Sequence, residues 1–275
     1  MKLTHQSAGK ATRRLVPVVL GAILAILPAP LASAYSGSYV PGNGINGTVH
    51  DLGTTHNGMN YTAVNPTDPQ HRICVFCHAP HNAYRLASAP GGAGPLAPTE
   101  FDYLPLWNHT LQTDLNYTMY ENGPGAPQNG HLASQAIQNG MVPGSNSLLC
   151  LSCHDGSVAV NSWGNANQVT QSNGTTTISP GYIIGQDHYL GNHHPIGFNY
   201  VDVFLGDSEI RDPDAVFLTP TTNVTDHLYN SKMECGTCHS VHNKGNDGER
   251  LLWRSDQNSE LCLTCHDKGI YTPTQ

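Results

Sequence analysis

The chain has 275 residues, and its composition departs from that of an ordinary globular domain. Gly (28) and Pro (19) are abundant, whereas aromatic residues make up 7% and charged residues 12%. The formal net charge of −8 disfavours nucleic acid and anionic membrane surfaces as partners. This composition predicts a loop-rich chain that builds little hydrophobic core from its own side chains.

The first 34 residues have the three parts of a secretory signal. Residues 1–14 hold four basic side chains, the apolar core covers residues 15–27, and Ala32-Ser33-Ala34 is a small-residue cleavage site. Pro28 and Pro30 stop the apolar run short of the about 20 residues that a membrane span needs. We therefore expect residues 1–34 to be cleaved and residues 35–275 to form a single domain without a membrane span. Its expected location is extracellular or at the cell surface, with the periplasm as the alternative.

The motif Cys-x-x-Cys-His occurs four times, and the copies use all eight cysteines. This motif is the attachment signature of a c-type haem: two thiols bond to the porphyrin edge and the histidine ligates the iron from one face. The sequence therefore predicts four c-type haems and no disulfide. The predicted thioether residues are Cys74, Cys77, Cys150, Cys153, Cys235, Cys238, Cys262 and Cys265, and the predicted proximal iron ligands are His78, His154, His239 and His266.

Structural zinc is the alternative interpretation of paired cysteines. Two Cys-x-x-Cys pairs can form a tetrahedral site, and the last two pairs, Cys235/Cys238 and Cys262/Cys265, have a suitable spacing. Zinc does not explain why a histidine follows every second cysteine. Export also favours haem, because c-type haem is attached outside the cytoplasm.

The predicted fold class is a multihaem cytochrome c, mostly coil with a few short helices and minor strands, organised around four covalent haems. Each haem is a large apolar plate around which about 60 residues can wrap. Short helices are predicted over Leu132–Ile137 and within Leu148–Val160, and strand-like repeats over Thr175–Ile178. An aromatic patch between Phe101 and Tyr120 is predicted to pack against the haems. The third and fourth motifs, separated only by residues 239–261, are expected to be spatial neighbours.

The number of histidines indicates whether each haem iron has one protein ligand or two. A haem iron with one protein ligand has a free face, whereas one with two protein ligands only passes electrons. Of the 16 histidines, one lies in the signal and four are proximal, which leaves eleven for four distal positions. This excess favours bis-histidine ligation throughout, and hence electron transfer rather than catalysis. Methionine is the alternative ligand, but no methionine stands in a suggestive context.

Four histidines are proposed as distal ligands. His81 and His242 each lie three residues after a proximal histidine. The cysteine tethers hold that segment on the near face of its own haem, so each side chain is expected to reach another iron. His50 and His194 are the other two choices, since the residues after them can orient the ring. The other histidines outside the signal are expected to lie at the surface or behind the ligands: His56, His71, His109, His131, His188, His193 and His227.

The order of these motifs resembles a known family. The signatures are, in chain order, Ile73-Cys-Val-Phe-Cys-His-Ala-Pro-His-Asn82, Pro105-Leu-Trp-Asn108, Tyr117-Thr-Met-Tyr120, Cys150-Leu-Ser-Cys-His-Asp-Gly-Ser-Val-Ala-Val160, His194-Pro195 and Leu261-Cys-Leu-Thr-Cys-His266. Together they cover nearly all of the chain after the signal. The set is similar to the OmcE-like tetrahaem cytochromes, which polymerise outside the cell into conductive filaments.

The resemblance implies electron transfer through four bis-histidine haems in a protomer of an extracellular filament. Its implied partners are identical protomers in a helical filament, together with redox donor and acceptor proteins or extracellular minerals. It also implies that His81 ligates an iron of the adjacent protomer and that His50, His194 and His242 act within their own chain. The alternatives are a discrete periplasmic or cell-surface tetrahaem carrier with all ligands in cis, and a haem reductase. A reductase needs an open iron, which the histidine excess disfavours.

Overall fold

The computed structural model describes residues 44–45, 48–52, 72–81, 83–84, 104–111, 114–120, 141–160, 162–164, 178, 180–243 and 251–268. All of them belong to the larger of the two units into which the chain divides, residues 34–275. Within these described ranges no helix is both long and apolar enough to span a bilayer.

Regular structure in the described part is sparse. The α-helices are α1 Ser145–His154, α2 Tyr200–Gly206, α3 Cys235–Cys238 and α4 Glu260–Cys265. Single 3₁₀ turns cover Cys74–Phe76, Pro180–Tyr182, Gln186–His188, Thr225–His227 and Gln257–Ser259. The strands β1 Phe198–Asn199, β2 Phe217–Thr219, β3 Thr222–Asn223 and β4 Lys232–Met233 form two antiparallel pairs, β1 with β4 and β2 with β3. The predicted mostly-coil fold with a few short helices and minor strands is confirmed for the described residues.

The helix predicted within Leu148–Val160 exists but is displaced towards the N-terminus. It begins at Ser145 and ends at His154, because Gly156 adopts a left-handed conformation (φ +79°) that ends the helical path. The helix predicted over Leu132–Ile137 lies outside the described residues, as does all of the strand-like stretch Thr175–Ile178 except its last residue.

Helix α1 lies between two hydrophobic clusters. The N-terminal cluster contains Leu148 and Leu149 from α1, together with Trp107 and Leu111. Leu151 of the same helix belongs to the C-terminal cluster, whose buried members are Met119, Met141, Leu151, Leu190, Phe198, Tyr200, Val203, Leu218, Val224 and Met233. The protein thus packs more core of its own than the composition predicts, and α1 joins its two parts.

The loop after His194 is anchored at Gly197. The Gly197 backbone donates to Met233 O (2.7 Å) in β4 and accepts from Val142 N (3.2 Å) before α1. Its φ of +77° suits glycine, and a Cβ here would lie 2.4 Å from the carbonyl oxygen of Val142. Neither partner is the end of a flexible side chain, so the backbone has to move to accept any larger residue.

We therefore expect Gly197→Ala to destabilise the haem-loaded protein by about 1–3 kcal/mol, because it adds backbone strain and a steric clash. The measurement is the midpoint of chemical unfolding compared with the unmodified protein. Gly181→Ala is the matched control, since a Cβ at Gly181 meets nothing within 4 Å. Equal midpoints for the two variants would contradict the proposed anchor.

Candidate haem-attachment sites

Each Cys-x-x-Cys-His motif forms one helical turn that brings its three functional side chains together. In the first motif His78 N donates to Cys74 O (2.7 Å). The same bond joins His239 N to Cys235 O (3.0 Å) and His266 N to Cys262 O (2.9 Å), while the second motif is the last turn of α1. A helical turn places residues one, four and five on neighbouring positions of one face, as attachment of a flat ring at its edge requires.

Backbone carbonyls hold three of the proximal rings. His78 Nδ1 donates to Pro105 O at 2.6 Å. The rings of His154 and His239 make equivalent bonds to the backbone of Tyr182 and Leu251. When one ring nitrogen donates to a carbonyl, the other carries the free lone pair that a metal needs. Pro105 begins one of the signatures noted in the sequence, but the role of all three carbonyls is seen only in the structure.

Three of the proposed distal histidines stand opposite proximal histidines. The ring centres of His50 and His154 are 6.1 Å apart, and those of His194 and His266 are 6.3 Å apart. His242 faces His78 at 6.1 Å, with the ring planes 22° apart.

The separation between the ring centres of each pair matches that of two imidazoles bound to one metal ion. An imidazole nitrogen binds a first-row metal at about 2 Å and its ring centre lies roughly 1 Å beyond, so two imidazoles on one metal have centres about 6–6.5 Å apart. The three pairs therefore fit a single iron between their rings. The ring of His242 faces the histidine of the first motif and not that of its own motif.

His239 and His81 are not paired in this way. Among the described residues no other histidine ring stands opposite His239 at about 6 Å. His81 is exposed, and within the described ranges its side chain forms no hydrogen bond or ring contact. The structure thus leaves one proximal and one proposed distal histidine apart within the chain.

The other described histidines use their ring nitrogens within the protein. His109 is buried, with Nδ1 at 2.8 Å from Thr110 O and Nε2 at 3.0 Å from Ala159 O. His188 lies between the carboxylates of Asp114 and Asp155. The remaining two use Nε2, because His193 accepts from Gly185 N and His227 bonds to Thr222 Oγ1. His56, His71 and His131 lie outside the described residues.

Burial favours the neutral form, which binds a metal, in four of the predicted ligand imidazoles: His50, His154, His239 and His266. Burial, aided by the nearby rings of His154, His239 and His242, lowers the pKa of His50 to about 3. Burial is also the main cause that lowers the pKa of His154, His239 and His266. The Nδ1 atom of His50 is buried without a hydrogen-bond partner among the described residues.

Burial also raises the pKa of most motif thiols, to about 11 for Cys77 and about 12 for Cys238. None of the eight cysteines, all of which lie in described ranges, forms a disulfide. The three methionines in the described ranges, Met119, Met141 and Met233, are buried core residues.

The four motifs adjoin one another in chain order. Cys77 lies close enough to Cys150 and Cys153 to raise the pKa of both thiols. Cys235 in turn lies close enough to Cys150 to raise the pKa of its thiol. The proximity of Cys265 similarly contributes to the raised pKa of Cys238. The expected closeness of the third and fourth motifs is therefore observed.

The aromatic patch surrounds the first two motifs in its described part. Trp107 lies edge-on to His78, with ring centres 6.2 Å apart. Tyr117 donates its hydroxyl to Asp155 Oδ2 (2.7 Å), directly after the second motif. Phe101 and Tyr103 lie outside the described residues.

The residues present fit a c-type haem at these motifs. One turn supplies two thiols and an imidazole, carbonyls orient three of the proximal rings, and three motifs have a second imidazole at the separation that one iron requires. Within the described ranges no cluster of three or more His, Cys, Asp or Glu side chains suits a bare metal ion. This donor set therefore fits haem better than zinc.

Comparison with known proteins gives one positive result. No curated protein matches the chain. Residues 227–270, which contain the third and fourth motifs, match the family described as "Doubled CXXCH motif". The doubled motif indicates covalently bound c-type haem. The match therefore suggests a multihaem c-type cytochrome, and this family implies haem-binding electron transfer.

Proposed function

We propose that the protein carries four bis-histidine c-type haems and is a protomer of an extracellular electron-conducting filament. The observation that carries this proposal is the set of facing imidazoles, His78 with His242, His154 with His50, and His266 with His194. With an imidazole on each side, an iron has no position for a substrate, and the haem exchanges electrons only. The protein is accordingly proposed to be an electron carrier and not an enzyme.

The fourth iron, attached at the third motif, is proposed to take its second ligand from another protomer. His239 lacks a facing histidine among the described residues, and His81 is exposed, with no hydrogen bond or ring contact to them. If His81 of one protomer binds the iron at His239 of the next, each chain both gives and receives one ligand. Such a head-to-tail contact is heterologous, and it generates an open filament when the rotation does not close a ring.

The order of the motifs supports a continuous electron path through each protomer. The thiols of successive motifs adjoin from Cys77 to Cys150, from Cys150 to Cys235 and from Cys238 to Cys265. Bound haems supply the redox centres, and the protein holds their attachment edges together. In the proposed filament, electrons pass between haems of successive protomers, with redox proteins or extracellular minerals as donor and acceptor. Export of residues 35–275 and cleavage of the signal complete this proposal.

The native protein provides the direct test. The haem content per chain is measured by pyridine haemochrome absorbance, the spin state by electron paramagnetic resonance, and assembly by electron microscopy. We expect four haems per chain, all low-spin, in filaments that do not bind carbon monoxide. A stable monomer with four low-spin haems would support the discrete carrier instead, whereas a high-spin haem that binds carbon monoxide would support an enzyme.

A further inference from the structure

A buried carboxylate joins the second and third haem-attachment segments. Glu234, directly before Cys235, is only 1% exposed. Its side chain accepts hydrogen bonds from Gly144 N (2.9 Å) and from the hydroxyl of Ser147, both at the start of α1. It also accepts from the backbone of Thr237, which closes a capping box on α3.

Two further bonds tie the same segments together. Cys235 N donates to Ser147 Oγ (3.0 Å), and Gly236 N donates to Asn146 Oδ1 (2.7 Å). Ser147 is fully buried and connects the Glu234 carboxylate with the Cys235 backbone. The first turn of α1 is therefore fixed against α3 by four hydrogen bonds, each joining residues that are distant in sequence.

The two helices joined by these hydrogen bonds carry haem-attachment cysteines. Cys150 lies one turn further along α1, and its sulfur lies beside that of Cys235. Any shift of α3 along α1 therefore moves one haem-attachment sulfur relative to the other. Three hydrogen-bond donors are oriented towards the Glu234 carboxylate, which suits an ionised group.

We propose that Glu234 is a positioning residue that sets the geometry between the haems of the second and third motifs and lowers their reduction potentials. The proposal rests on the proposed covalent haems at Cys150/Cys153 and Cys235/Cys238. A buried negative charge stabilises the ferric haem, which carries one more positive charge than the ferrous haem. Electron transfer between the middle haems of the path thus depends on a residue that binds neither iron nor porphyrin.

The test compares Glu234→Gln with Asp202→Asn in the haem-loaded protein at fixed pH. Both changes remove one negative charge, but Asp202 is exposed on α2. The readouts are the exciton splitting in Soret circular dichroism, which reports haem–haem geometry, and the potentials from spectroelectrochemical titration. Glu234→Gln is expected to change the splitting and to raise the potentials of two haems, while Asp202→Asn leaves both near the unmodified values.

Ser147→Ala separates geometry from charge, because it removes the bridging hydroxyl and keeps the carboxylate. It is expected to alter the Soret splitting with a smaller change in potential. Ser147→Ala also tests the positioning role of Glu234 if Glu234→Gln does not accumulate as folded protein. An unchanged splitting in Ser147→Ala, or unchanged splitting and potentials in folded Glu234→Gln, would overturn the inference. Fewer than four haems in the unmodified protein would instead refute the proposed function.

Discussion

Replacing His81 with alanine is expected to abolish filament assembly and to make one haem per chain high-spin. In the proposed filament this side chain is the sixth ligand of the iron at His239 in the neighbouring protomer. Removing it opens one coordination position in every protomer and breaks the bond across the contact. The measurements are electron microscopy for assembly and electron paramagnetic resonance for the high-spin fraction, expected to be about one haem in four.

Two controls make this result specific. Pro80→Ala changes the exposed neighbouring position and is expected to preserve filaments with all haems low-spin. Added imidazole is expected to restore a low-spin spectrum to His81→Ala without restoring filament assembly. Free imidazole binds at the open coordination position of the iron but does not link two protomers. Normal filaments of His81→Ala would refute the in-trans assignment. A high-spin haem in a chain that is monomeric before mutation would assign His81 as a ligand in cis.

Replacing His194 with alanine is expected to make the haem at the fourth motif high-spin and able to bind carbon monoxide. The ring of His194 stands 6.3 Å from that of His266, the separation expected for two ligands of one iron. Its loss leaves no other described histidine ring at that position. Carbon monoxide binding followed by optical spectroscopy is expected to rise from none to about one per chain.

The neighbouring histidine is the control for this second experiment. His193 differs from His194 by one position, but its Nε2 accepts from Gly185 N (3.4 Å) and is engaged with the protein. His193→Ala is therefore expected to keep four low-spin haems and to bind no carbon monoxide. If His193→Ala opened an iron and His194→Ala did not, the two assignments would have to be exchanged.

The residues around the fourth motif show why sequence reasoning alone leaves the ligand pairs open. His193 and His194 are adjacent and chemically identical, and only the residues that follow His194 favour its ring in the sequence. Two contacts distinguish the rings in the structure. Gly185 N donates a hydrogen bond to the ring of His193, and the Gly197 anchor holds the loop against Val142 and β4. Both contacts join segments that are separated in sequence, so they cannot be predicted from a short motif.

The sequence by itself determined the attachment chemistry and the sparse secondary structure. A thioether pair with its proximal histidine fits within a single helical turn, and loop-forming residues act through local backbone preferences. The attachment chemistry and the sparse secondary structure therefore both depend on short stretches of sequence. The tertiary structure decided which histidine faces which, how Glu234 links the second and third motifs, and which histidines are engaged elsewhere. These relations join distant segments, because the two imidazoles of one iron approach from opposite faces and only chain folding can bring them together.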